Sequence, residues 1–197
     1  ESIKFNYPRI FINIGYSNAG TSSLNEALTL LGYSSIHDAW DIYKEDNPID
    51  LQDRLIPFYD NLSNDRNIFY GFISRYNAFT AAPTTDSSIL ESIIEQYPKA
   101  HYICTKRNHR ERYKSVSKRT KLQNGRRIRY HDWIIEQKET DVYIDNVLKK
   151  NLDLKVLEFN ICDEGHGWKE LCTFLNKEIP KVNFPHLNKN IHRKDNK

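Results

Sequence analysis

At 197 residues and 23.3 kDa, the chain fits a single α/β-sized domain, residues 1–197, long enough to enclose a sizeable core. Hydrophobic residues make up 39%, mean hydropathy is −0.72, and no apolar run approaches the roughly 18 to 20 residues that cross a bilayer, which excludes a membrane span within the sequence. A net charge of +3 does not make a polycation and no nucleic-acid motif occurs, so nucleic acid is not an expected partner.

"RIFINIG", residues 9–15, is a β-branched and aromatic run without strong alternation, as expected of a strand buried on both faces of a parallel sheet. Beyond it, Leu24, Ala27, Leu28 and Leu31 fall at helical spacing, and Gly32 is placed to end that helix. "YSSIH" reads as a short second strand and "NIFYGF", near Ile68, as a third. Asp86 or Ser87 can cap a helix carrying Ile89, Leu90, Ile93 and Ile94, which stops before Tyr97 and Pro98. "AHYICT", 100–105, is a strand again, followed by a helix through about Thr120. Residues 130–150 form an amphipathic helix, "LKVLEF" a final strand and "GWKELCTFL" a final helix. Strands alternating with helical patterns indicate parallel βαβ units and an α/β fold. No internal repeat or linker breaks the pattern, and the polar tail after about residue 188 is expected to be loosely held.

Charge is unevenly spread. Between Lys106 and Arg129 stand eleven Lys or Arg against one acid, Glu111, leaving 18 of the 29 basic residues and 25 of the 26 acidic ones elsewhere. Such an excess points to an anionic ligand, with a solvated helix face as the plainer alternative. Cys104, Cys162 and Cys172 have no metal spacing, and three is not the count of a disulfide framework, so structural thiols are expected. The sequence has no Met, even at position 1, which leads to the expectation of a start codon and a targeting or anchoring segment upstream. The cytoplasm is the expected compartment and the secretory lumen the alternative. In a lumen the sequon Asn61-Leu62-Ser63 would be a glycosylation acceptor.

The motif that carries chemistry is "GYSNAGTSSL", Gly15 to Leu24. A strand, then G-x-x-x-x-G, then a helix opening at Thr21 and Ser22 gathers backbone N–H groups and a positive helix end around one point, which suits a phosphate; a plain tight turn would have the same glycines. The lysine of a nucleoside triphosphatase is replaced by Thr21. In "YPKAHYICTKRNHRERYKSV", Arg107 follows a strand and Ser115 lies eight positions on. Arg107 therefore emerges at the carboxyl edge of the sheet, where ligands of open α/β sheets gather. A guanidinium can grip a phosphate with two donors and a serine can add a hydroxyl, so the pair suggests a second phosphate subsite.

These two blocks, with "GWKELCTFLNKEIPKVNFPHLN", resemble in order the three blocks of the P-loop sulfotransferases, especially the branch whose loop reads G-x-P-[KR]-x-G-T-[TS]-S-L. The resemblance spans nearly the whole chain. It implies a three-layer α/β/α domain with a central, mainly parallel sheet, like the P-loop nucleoside triphosphate hydrolases. It also implies 3′-phosphoadenosine 5′-phosphosulfate as sulfuryl donor, 3′,5′-adenosine bisphosphate as product, a hydroxyl or amine acceptor, and no metal. Ser17, Asn18, Ala19, Gly20, Thr21, Ser22 and Ser23 would hold the 5′-phosphosulfate, and Arg107 with Ser115 the 3′-phosphate. Thr21 is the residue this family keeps where triphosphatases have lysine.

The sequence departs from that pattern in two places. The family's loop cation falls on Asn18, which can donate only a neutral hydrogen bond, and an acidic residue expected two places before a proline falls on Ala81. By analogy with the ~10²–10³-fold effect of deleting one oxyanion donor, the missing cation should remove much of the electrostatic catalysis. The acceptor's base is expected just past the second strand, in "IHDAWD", where His37 leads and Asp38 follows; a histidine near its ordinary pKa suits this at neutral pH. The alternatives are a cap for Asp38 and packing for His37. Surplus cations from Lys118 to Arg129 are expected to bind an anionic acceptor such as a carbohydrate, or to form a lid. Two other functions compete: a degenerate nucleotide-binding module without turnover, motivated by Asn18 and Ala81, and a small-molecule P-loop kinase. The kinase reading suffers from Thr21 and from the lack of a strand-ending Walker-B aspartate.

Overall fold

The computed structural model describes residues 11–38, 76–82 and 84–187. In chain order they form β1 (Phe11–Asn13), α1 (Thr21–Leu30), β2 (Ser35–Ile36), β3 (Ala78–Phe79), a 3₁₀ turn (Ser87–Ile89) running into α2 (Leu90–Gln96), β4 (His101–Thr105), α3 (His109–Asn124), α4 (Tyr130–Lys150), β5 (Lys155–Phe159) and α5 (Trp168–Leu175). The five strands make one parallel sheet in the order β2-β3-β1-β4-β5. Its longest ladder pairs His101 through Thr105 with Lys155 through Phe159.

Because successive side chains of a strand point to opposite faces, the sheet feeds two separate cores. Ile12, Phe79, Tyr102 and Cys104 pack on one side with Leu90 and Ile93 of α2 and Ile144 and Val147 of α4. Phe11, Ala78, Ile103 and Phe159 pack on the other with Leu24 and Leu28 of α1 and Leu171 and Leu175 of α5. β1 and β4 are buried at every position, which is why their sequences show no alternation. The result is the expected three-layer α/β/α arrangement. Among the described residues no helix is long and apolar enough to cross a membrane.

Element ends follow local chemistry. α1 closes with Gly32 at φ +86°, its N–H bonded to Thr29 O at 2.9 Å and that of Tyr33 to Leu28 O at 3.0 Å, the paired bonds that end a helix on a left-handed residue. Asp86 caps the 3₁₀ turn through the N–H of Ser88. α3 runs past the expected end to Asn124, where Gly125 at φ +67° stops it. Two expectations fare differently. The strand expected near Ile68 lies outside the described residues, as does Arg9 of the first strand. The strand between β2 and β1 is Ala78–Phe79, which the sequence pattern did not mark.

β2 and β3 lie to one side of β1, and β4 and β5 to the other. The carboxyl ends of β1 and β4 thus flank a point where the chain changes direction across the sheet, the usual place for a ligand in this architecture.

Candidate functional site

The loop after β1 is fastened from beneath by a buried polar cluster. Asn13, 1% exposed, donates from Nδ2 to Thr80 O (2.8 Å) and Thr105 Oγ1 (3.1 Å), and its Oδ1 accepts from the N–H groups of Gly15 (3.0 Å) and Thr105 (3.2 Å). Thr105 Oγ1 also reaches Tyr16 O at 3.0 Å. Every polar atom of the amide is used, as a buried polar group requires. Gly15 allows this closeness: a Cβ there would lie 2.1 Å from Thr105 N. Farther round, Asn18 and Gly20 take positive φ (59° and 85°), with Ala19 between them on the ordinary side. Such alternation turns successive N–H groups into one concavity. The N–H groups of Asn18, Ala19, Gly20 and Thr21 find no acceptor among the described residues.

α1 begins at this concavity with Gly20 as N-cap and no side-chain cap. Its first hydroxyls meet the end of β2: His37 Nε2 is 3.1 Å from both Thr21 Oγ1 and Ser22 Oγ. The expected loop and the expected base therefore converge. Asp38, half-buried, follows His37 in the chain. Ser23 is buried, and its Oγ accepts from Leu187 N at 3.0 Å, which brings the "FPHLN" segment back to the loop. On the way, Trp168 Nε1 donates to Val182 O (2.7 Å) and Phe184 packs edge-on against Trp168.

Two arginines from the β4–α3 corner grip consecutive carbonyls of the loop. Arg107 Nη1 donates to Asn18 O at 2.8 Å, and Arg112 Nε donates to Ser17 O at 2.9 Å. Arg112 is 6% exposed, lies 4.0 Å above the Tyr16 ring and 5.2 Å from the Trp133 ring, and donates from Nη1 to Gln137 Oε1. Burial pulls its guanidinium down to about 10, still charged at neutral pH. Arg107 is half-buried, and its buried Nε has no partner among the described residues. Neither arginine pairs with a carboxylate among the described residues. Ser115 sits half-buried on the second turn of α3.

A second tie runs to α4. The Tyr16 hydroxyl bonds to Asp141 Oδ1 and to Gln137 O (3.2 Å), while Asp141 Oδ2 is 2.7 Å from His109 Nε2. Burial first, and then the bond to Asp141, hold the Tyr16 phenol well above its ordinary pKa, so it stays a donor. Asn108 caps α3 by accepting from the N–H of Arg110 (3.0 Å) and Glu111 (3.3 Å), which leaves His109 in the first turn.

Sequence reasoning did not single out Asn13, Arg112 or Asp141. Asn13 carried a signal, being the one amide in an apolar strand. So did Asp141, which with Gln137 interrupts the apolar stripe of Trp133, Ile144 and Val147. Arg112 carried none, since one cation among eleven looks like another. Ala81 is buried just past β3, its carbonyl accepting from Thr84 N (3.1 Å) and Oγ1 (2.9 Å). Among the described residues the three cysteines form no disulfide, with Cys104 and Cys172 buried and Cys162 exposed. Lys118 through Arg129 wind from α3 into the turn before α4, with Arg126 and Arg127 exposed.

The parallel α/β sheet carries, at the carboxyl end of its first strand, a glycine loop with threonine and serine hydroxyls and no lysine, a geometry suited to an anion. A family model described as a sulfotransferase domain matches residues 11–152 and 136–192. The chain belongs to that sulfotransferase family, and a sulfotransfer-type, transferase function goes with it. None of the curated proteins matches the sequence.

Proposed function

We propose that the protein moves a sulfuryl group from 3′-phosphoadenosine 5′-phosphosulfate to a hydroxyl, or an amine, of an anionic acceptor. The observation that carries this reading is the open loop itself: among the described residues it has four unengaged N–H groups, an uncapped helix start and three neighbouring hydroxyls, next to guanidiniums without a carboxylate partner. Such a set fits an anion and leaves no evident place for a magnesium triphosphate, whose lysine is Thr21 here.

In this reading the residues 17 to 23 hold the 5′-phosphosulfate. Arg107, through the donors not used on Asn18 O, and Ser115 take the 3′-phosphate. When bound, the donor supplies the sulfuryl group that passes to the acceptor oxygen, leaving 3′,5′-adenosine bisphosphate. His37 lies beside Thr21 and Ser22, so a neutral ring nitrogen there can take the acceptor's proton as its oxygen attacks. Asp38 is the second choice for that role. The loop N–H groups remain to stabilise the departing phosphate. Arg126 and Arg127 are the cations proposed to meet the acceptor's negative charge.

A binding module without turnover is the second reading, favoured by the uncharged Asn18 in the loop and by Ala81. Calorimetric titration with 3′,5′-adenosine bisphosphate and with magnesium ATP, followed by radiolabelled sulfate transfer to an acceptor panel, separates the two. Bisphosphate binding with transfer is expected. Binding without transfer would establish the module, and a preference for ATP would end the sulfotransfer assignment.

A further inference from the structure

Residues 15 to 23 contain no Lys, Arg or His, yet the loop is not without positive charge. We propose that Arg112, and Arg107 in addition to its proposed contact with the 3′-phosphate, charge the loop through its own peptides, one on each side of Asn18. In a planar trans peptide the C=O and N–H point in opposite directions. Arg112 holds the carbonyl of the peptide joining Ser17 to Asn18, so that peptide's N–H, on Asn18, points away from the guanidinium. Arg107 holds the carbonyl of the next peptide, so the N–H of Ala19 does the same. Both N–H groups belong to the concavity and find no acceptor among the described residues. A cation hydrogen-bonded to a carbonyl polarises the amide at the other end, and chains of such bonds strengthen one another in a poorly solvated site.

The surroundings favour this role over simple packing. Arg112 is walled in by Tyr16, Trp133 and Gln137, too enclosed to reach a ligand itself. Tyr16 is clamped in turn by Asp141, which fixes the stacked ring under the guanidinium. Neither arginine has a carboxylate partner among the described residues, so an anion at the loop meets charge that no ion pair cancels. The two peptides thus deliver, through main-chain dipoles, the positive character that the side chain at position 18 does not provide.

The proposal rests on reading the loop as the 5′-phosphosulfate site, and its test separates the two. The ¹⁵N-labelled full chain would be titrated with 3′,5′-adenosine bisphosphate, adenosine 5′-monophosphate and inorganic phosphate, following the loop amides. In the wild type the Asn18 and Ala19 amide protons should move downfield together. Arg107→Gln should shrink the Ala19 response and leave that of Asn18, and Arg112→Gln should do the reverse. Each should weaken the 5′-monophosphate roughly ten- to hundredfold, as expected for a charged hydrogen bond, and the matching lysine variants should recover part of it. If Arg112→Gln does not fold, Arg107→Gln decides alone. Unchanged amide responses and unchanged monophosphate affinity in Arg107→Gln would overturn the proposal. A wild-type loop that answers inorganic phosphate but neither nucleotide would overturn the donor reading and leave this one standing.

Discussion

Two connections leave the same edge of the sheet and end in a helix, and they are finished in opposite ways. The loop after β1 ends at Gly20 with, among the described residues, no side-chain cap on α1, unengaged N–H groups, and arginines on its carbonyls. The loop after β5 ends at Gly167 and satisfies itself. Gly167 N donates to Glu170 Oε2 (2.8 Å), Asn160 N to His166 Nδ1 (3.1 Å), and His166 Nε2 sits 3.1 Å from Glu164. Asp163 accepts from the N–H of Asn108 at the start of α3. Both helix starts carry the same partial positive charge. One is neutralised by its own acids, and the other is left open among the described residues.

Three substitutions would break or sharpen that contrast. The largest effect is expected from Gly15→Ala, whose Cβ would meet the backbone of Thr105 at 2.1 Å; neither strand can yield, so about 3 kcal/mol of stability should go, together with bisphosphate binding, in urea unfolding and calorimetry. Asp141→Asn comes next. It weakens the acceptor shared by Tyr16 and His109, and about 2 kcal/mol is expected, with affinity for the bisphosphate falling as the open loop loosens; unchanged affinity would show that the clamp on Tyr16 does not hold the loop.

Glu170→Gln is the control on the closed side. About 1 kcal/mol of stability should be lost with bisphosphate affinity untouched. The N–H of Gly167 holds the Glu170 carboxyl below the usual carboxylate range. Its contribution is therefore present above the unfolded-state pKa and lost as pH falls through the lower folded value. Thermal unfolding of the two proteins should differ at neutral pH and converge in acid.

Much of this molecule was legible in the residues. β1 and β4 showed as apolar runs without alternation because both faces of a parallel sheet are covered, and the glycine spacing marked the loop because only glycine tolerates the approach to Thr105 and the left-handed turn at Gly20. β3 was not legible, although β2 is equally short: β2 follows closely on the glycine that ends α1, whereas no turn signal sets off Ala78–Phe79. Nor was the grip of Arg112 on Ser17, which joins positions 95 residues apart.

By itself the sequence determined the alternation of strands and helices, the place of the glycine loop, and the position of His37 at the end of β2, all of which depend on local pattern and on the handed geometry of βαβ units. Tertiary structure alone decided which of eleven cations face the loop, that Asp141 clamps Tyr16, and that Ser23 is bound by the returning chain at Leu187. The physical reason is that a hydrogen bond or a stacked guanidinium is set by distance in space, and nothing in a run of similar charges records which one the fold will bury.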